Sequence, residues 1–278
     1  EHVILLYKYK PEKNQNIAQI ILENIEKTTD DKKVINLCNK MLQGCLISGN
    51  YSHAFELTHK ILSKYPHSSL NPEDKNFNIS YFLISLVKIE VMFSIGNLND
   101  CIEAGDEILS VITSSNIESL KPANFSMQQF KEIIFDSAGF VSISRIILLR
   151  NDLETFLTKL ETNMGKLPKT FELFVLLQKR LSGKVEMPVD LELFDDKFSK
   201  ILFGFLQAFD HKDDYKKFAS DIYQSKINAK LQNLKQIELF CDLLIGYSYF
   251  KLKEYKKASS VYYSVIGTTS ENGLKLVW

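Results

Sequence analysis

"LISGNYSHAFELTHKILSKYP", residues 46–66, is bounded at both ends by residues that interrupt helices. Gly49-Asn50 suits the close of one helix, because glycine and asparagine accept the left-handed conformation that a helix C-terminus favours. Pro66 ends the next, because proline has no amide donor and clashes with the preceding turn. Between them lie Tyr51, Ala54 and a run of helix formers with apolar residues three to four apart, as in an amphipathic helix. The stretch therefore predicts a helix, a tight turn and a second helix.

The same pattern returns in "IGNLNDCIEAGDEIL", "RNDLETFLTKLETNM", "KDDYKKFASDIYQSK" and "LKEYKKASSVYYSVI". Each has a short polar turn, then Leu or Tyr, then a small or apolar residue three places later. Five occurrences of one pattern indicate an internal repeat. Pro11, Pro66, Pro72, Pro122, Pro168 and Pro188 all fall between apolar-periodic segments. Such segments include "VINLCNKMLQGCLI", "FKEIIFDSAGFVSISRIILL" and "IELFCDLLIGYSYF". No alternation with period two is found, so the predicted class is all-α.

Composition narrows the function classes. Lys+Arg and Asp+Glu are both 34, so the chain of 278 residues has no net charge. It lacks the basic excess expected of a nucleic-acid-binding protein. Four cysteines (Cys38, Cys45, Cys101, Cys241) in a chain of this length do not make a disulfide framework. The apolar runs "YFLISLV" and "VSISRIILL" are cut short by Lys88 and Arg145, below the roughly 18 residues of a membrane span. "EHVILLYKYKPEK" lacks the basic-then-apolar order of a signal peptide. The expectation is an intracellular, cytoplasmic protein without direct membrane insertion.

The repeated unit resembles the tetratricopeptide repeat, a pair of antiparallel helices of about 34 residues. Gly49, Asn50 and Tyr51 match that family's turn, Ala54 its small packing residue and Pro66 its closing proline. Frames at 35–68, 82–115, 137–170, 199–232 and 239–272 follow, the last carrying Gly246, Tyr249, Tyr255, Ala258 and Tyr262 at family positions. The family's Trp is replaced in every frame, by Cys38, Ser85, Phe140, Leu202 and Asp242, and the spacing is uneven. The intervening segments 69–81, 116–136 and 171–198 are insertions, and "FELFVLLQKRLS" reads as an extra helix. The resemblance implies a right-handed α-solenoid over 35–278, with capping helices over 1–34.

Catalytic signatures are absent. There is no phosphate loop (Gly183-Lys184 lacks both flanks), no nucleophile elbow and no H-E-x-x-H. Cys38, Cys45, His53, His59 and His67 do not have the close pairing of a zinc site and read as core thiols with surface histidines. Asp210, His211, Asp213 and Asp214 match no cation-binding loop. No metal, cofactor or catalytic residue is expected.

The resemblance further implies a concave groove that holds a partner's helix or extended peptide, while the neutral charge and uneven spacing argue against nucleic acid. Residue by residue, it would be lined by Asn39 and Gln43, by Glu90, by Arg145, and by Phe240, Tyr247 and Phe250. The positions of the family's chaperone-type carboxylate clamp hold Asn39, Gln43, Val87, Ala138 and Ser142, so that clamp is not expected. The sequence thus predicts a non-catalytic scaffold within a larger complex. Two alternatives stand beside it: a structural subunit that binds by its convex face or edges with the groove closed, and a helical enzyme with an unrecognised site.

Overall fold

The structure, a computed structural model, describes residues 23, 51–64, 75–183 and 196–272. Every regular element among the described residues is a helix, in accord with the expected all-α class. In chain order they are α1 (Tyr51–Lys64), α2 (Lys75–Ser94), α3 (Leu98–Ser114), α4 (Ile117–Leu120), α5 (Met127–Ile147) and α6 (Leu153–Met164). Then come α7 (Thr170–Leu181), α8 (Ser199–Asp210), α9 (Tyr215–Leu231), α10 (Lys235–Lys251) and α11 (Tyr255–Asn272). The expected cap over 1–34 and the first helix of frame 35–68 lie outside the described residues, Glu23 apart.

The turn chemistry sets the helix starts. In all five frames the second helix begins at the Tyr or Leu after the polar turn: Tyr51, Leu98, Leu153, Tyr215 and Tyr255. Asp214 shows how: its Oδ1 accepts the amides of Lys216 and Lys217 at 3.2 and 3.3 Å, satisfying donors that α9 cannot satisfy itself. α5 begins with a reciprocal cap. Ser126 Oγ accepts the Gln129 amide at 3.1 Å, and Gln129 Oε1 accepts the Ser126 amide at 2.9 Å. Left-handed residues end α5, α9 and α10, namely Leu149 (φ 52°), Asn233 (φ 56°) and Lys253 (φ 63°). Each lets the next amide reach back to a carbonyl five residues earlier, as in Glu254 N–H to Tyr249 O at 2.9 Å.

The chain divides into two compact units: Glu1–Ile95 with Asn99–Ser137, and Gly96–Leu98 with Ala138–Trp278. In the first, α2 packs against α1 and α4. Its core contains Ala54, Leu57 and Ile61 from α1, and Phe82, Ile84 and Phe93 from α2. The rings of Phe82 and Phe130 meet at 5.7 Å. A fully buried ring of this kind contributes roughly 2 kcal/mol relative to exposure.

The second unit contains the later part of α5 and helices α6–α11. Its extra helix is α7, at the position "FELFVLLQKRLS" predicted. Phe140, Phe174 and Phe198 form an aromatic cluster with ring separations of 5.4 and 5.5 Å. Gly139 makes the cluster possible, since a Cβ there would sit 2.3 Å from the Phe198 ring. Beyond it, α7, α8, α9, α10 and α11 each pack on the next in chain order. α9 and α10 are joined by Lys226 and Asp242 at 2.6 Å. α10 and α11 meet where Gly246 leaves room for Tyr262, whose ring would lie 2.6 Å from an added Cβ. Ala258, a predicted packing residue on α11, is 3% exposed.

Candidate functional site: an aromatic face on α10

α10 buries Ile237, Cys241, Ile245 and Ser248, a set of positions that closes one side of the helix. On another side run Phe240, Leu243, Tyr247 and Phe250, three to four residues apart. Phe240 and Leu243 are half-buried, whereas Tyr247 is 43% and Phe250 52% exposed. A side face that turns progressively outward is what an amphipathic partner can lie against.

The neighbouring helices continue this face. Phe205 of α8, itself buried, backs Phe240 at 5.6 Å between ring centroids. Tyr215, first residue of α9, stands edge-on to Tyr247 at 6.2 Å, and Tyr255, first residue of α11, stands edge-on to Phe250 at 5.7 Å. The turn pattern therefore does more than start α9 and α11. It delivers two aromatic rings to the end of α10. Lys251 places its ammonium 5.3 Å from the Tyr247 ring, giving the face a cationic edge. Aromatic residues held this way lose little conformational freedom on binding and suit the role of anchors.

The other predicted groove residues fare differently. Asn39 and Gln43 lie outside the described residues. Glu90 is half-buried on α2, beside the buried Leu86 and Phe93. Arg145 does not line an open surface, contrary to expectation. It is 1% exposed, pairs with Asp152 and lies 4.9 Å from the Phe156 ring. The reason is the environment of α5, whose residues from Ser137 to Ile146 are buried in succession. Phe174 and Phe198, both from the 171–198 insertion, occupy the space beside Phe140. Of the predicted residues, the structure brings together Phe240, Tyr247 and Phe250. Tyr215 and Tyr255 belong with them and were readable only as turn residues.

A second concavity lies between α6 and α7, with a volume of about 630 Å³. Leu157, Phe171, Val175 and Leu176 line it, and Glu154 and Lys179 pair beside it at 2.7 Å. Its one side-chain hydroxyl, on Thr158, donates to the Glu154 carbonyl at 2.8 Å. Its lining holds no Cys or His.

The acidic cluster at the α8–α9 turn is engaged within the fold. Asp210 pairs with Arg180, and Asp214 caps α9. His211 Nδ1 lies 2.8 Å from Asp221. Among the described residues no group of three or more His, Cys, Asp or Glu could hold a metal ion. Cys101 and Cys241 are buried free thiols, and burial pushes the Cys241 thiol well up. No described helix is long and apolar enough to cross a membrane. No protein-family model, curated protein or solved structure matches this chain.

Proposed function

We propose that the chain is a non-catalytic scaffold, a tetratricopeptide-like right-handed solenoid that holds a partner's helix or extended peptide within a larger intracellular assembly. One observation carries this reading: the stripe Phe240–Leu243–Tyr247–Phe250 on α10, extended by Tyr215 and Tyr255, whose outer aromatics stay exposed beside a well-packed core. Its partner has apolar anchors at helical spacing, seated between the aromatic rings. The run of packed neighbours from α8 to α11 supports the repeat reading, as do the five matching helix starts.

A second reading is supported by the burial of Arg145, which the groove reading expects on an open surface. On that reading the chain is a structural subunit that binds through other surfaces. Affinity capture from native lysate with quantitative mass spectrometry separates the two, comparing wild type with Tyr247→Ala/Phe250→Ala. Loss of a stoichiometric partner, with unchanged circular dichroism, is the expected result. A partner set that the double variant leaves intact would exclude the α10 face.

A further inference from the structure

α9 carries a second apolar stripe that neither its packing nor the α10 face uses. The helix buries Phe218, Ile222, Ser225 and Ala229 and packs against α8 and α10. At 3.6 residues per turn, Tyr223, Ile227 and Leu231 fall on the opposite side, each about one turn after the last. They are 53, 39 and 72% exposed. The solvated side of a packed helix is ordinarily polar, so three apolar residues in register there need an explanation outside the fold.

The exposed charged side chains within α9 itself have one sign. Lys216, Lys217 and Lys230 are exposed on α9. The fourth lysine of the helix, Lys226, is neutralised by Asp242 at 2.6 Å. Asp221, the helix's one carboxylate, is half-buried against His211, and Asp214 caps the first turn. We propose that this face of α9 docks an acidic amphipathic helix of a partner protein. The partner's apolar residues seat along Tyr223, Ile227 and Leu231, and its Asp and Glu side chains meet Lys216, Lys217 and Lys230. A second copy of this chain would set lysine against lysine, which costs affinity. A bilayer surface fits less well, because α8 and α10 flank the helix and the stripe is one residue wide. The proposal involves a surface other than the α10 face and stands apart from it.

The test uses two fluorescein-labelled helical peptides with the same leucine stripe, one flanked by Glu and one by Lys, titrated by anisotropy against the full chain. The Glu peptide is expected to bind at least about tenfold more tightly, with a preference that shrinks as salt rises. Ile227→Ser and Lys216→Glu/Lys230→Glu each weaken it by about tenfold with unchanged circular dichroism, whereas Tyr247→Ala/Phe250→Ala does not. Equal binding of the two peptides, no binding, or indifference to Ile227→Ser overturns the proposal. So does either of two Ile227-dependent results without Glu-peptide binding: cosedimentation with phosphatidylserine vesicles, which makes the face a lipid surface, or a doubling of mass in sedimentation, which makes it a self-interface.

Discussion

Arg145 at the end of α5 donates a hydrogen bond to the carboxylate of Asp152 at the start of α6, and its guanidinium lies over the Phe156 ring one turn further on. Asp152 occupies the N-cap position of α6, yet its side chain makes no capping bond. Its carboxylate serves the buried cation instead. The pair therefore joins two successive helices through a charge that the fold has withdrawn from water, and losing one partner is worse than losing both.

Replacing Asp152 with Ala should cost about 1–2 kcal/mol by urea unfolding, a charge-assisted bond discounted for the exposure of the carboxylate. Arg145→Met/Asp152→Ala should recover at least half of that loss. Strict additivity of Arg145→Met and Asp152→Ala would show that the two residues are not coupled.

The same pair sets an acid dependence. The hydrogen bond from Arg145 holds the Asp152 carboxyl below its usual range. The folded state then binds fewer protons than the unfolded state, so stability rises with pH in this window. The contribution is complete above the ordinary Asp value of about 3.9 and is lost as pH falls through the folded value. Urea midpoints of wild type and Asp152→Asn should differ most near neutrality and converge as the carboxyl protonates. A gap that is constant with pH would assign the effect to something other than ionisation.

Two helical glycines should respond oppositely to alanine. At Gly139 the added methyl meets Phe198, a 4% exposed ring confined by Phe140 and Phe174, so a loss of about 1–3 kcal/mol is expected. At Gly267 nothing lies within 4 Å, and the helix propensity of alanine should add about 0.5–1 kcal/mol. Thermal unfolding of the two variants checks both signs.

These contrasts show what could be read in the chain. Helix starts at Tyr51, Leu98, Leu153, Tyr215 and Tyr255 were legible because caps and turns are local, fixed by a few adjacent residues. The fate of Arg145 was not. It depends on Asp152 and Phe156 across a turn, partners that the repeat pattern does not assign to it. Tyr247 and Phe250 were found because their face repeats with the helix. Tyr223, Ile227 and Leu231 share that periodicity, but periodicity cannot tell a packed stripe from a bare one when a helix carries both.

Leu149 takes φ 52° and is 72% exposed, so its side chain gains little from burial while its backbone occupies a region that favours glycine. Leu149→Gly should raise stability by up to about 1 kcal/mol, the strain relieved less the added freedom of the unfolded chain. A lowered melting temperature would mean that the Leu149 side chain holds the α5–α6 turn.

Tyr81 gives an alkaline counterpart in the first unit. Burial, with the Glu107 charge adding and a Ser85 hydrogen bond opposing, pushes its phenol up to about 12. The unfolded chain ionises near 10, so stability is complete below that value and falls as pH rises toward the folded one. Tyr81→Phe should therefore lose less stability than wild type between about pH 10 and 12. Equal slopes would place the phenol in contact with water.

The α10 face itself makes the last prediction. Tyr247 and Phe250 touch Tyr215 and Tyr255 through ring edges while remaining about half exposed, so each contact contributes roughly 0.5–1.5 kcal/mol. Leu202 on α8 is fully buried, and its truncation to Ala should cost about 2–5 kcal/mol. A surface kept for a partner should tolerate Tyr247→Ala/Phe250→Ala better than the core tolerates Leu202→Ala, though both remove large apolar groups. Urea unfolding of the two variants measures the difference directly. If the double variant loses as much as Leu202→Ala, the aromatics are covered within the folded chain and serve its stability. If it loses little, their exposure is maintained without a folding benefit, which is the condition a binding face must meet.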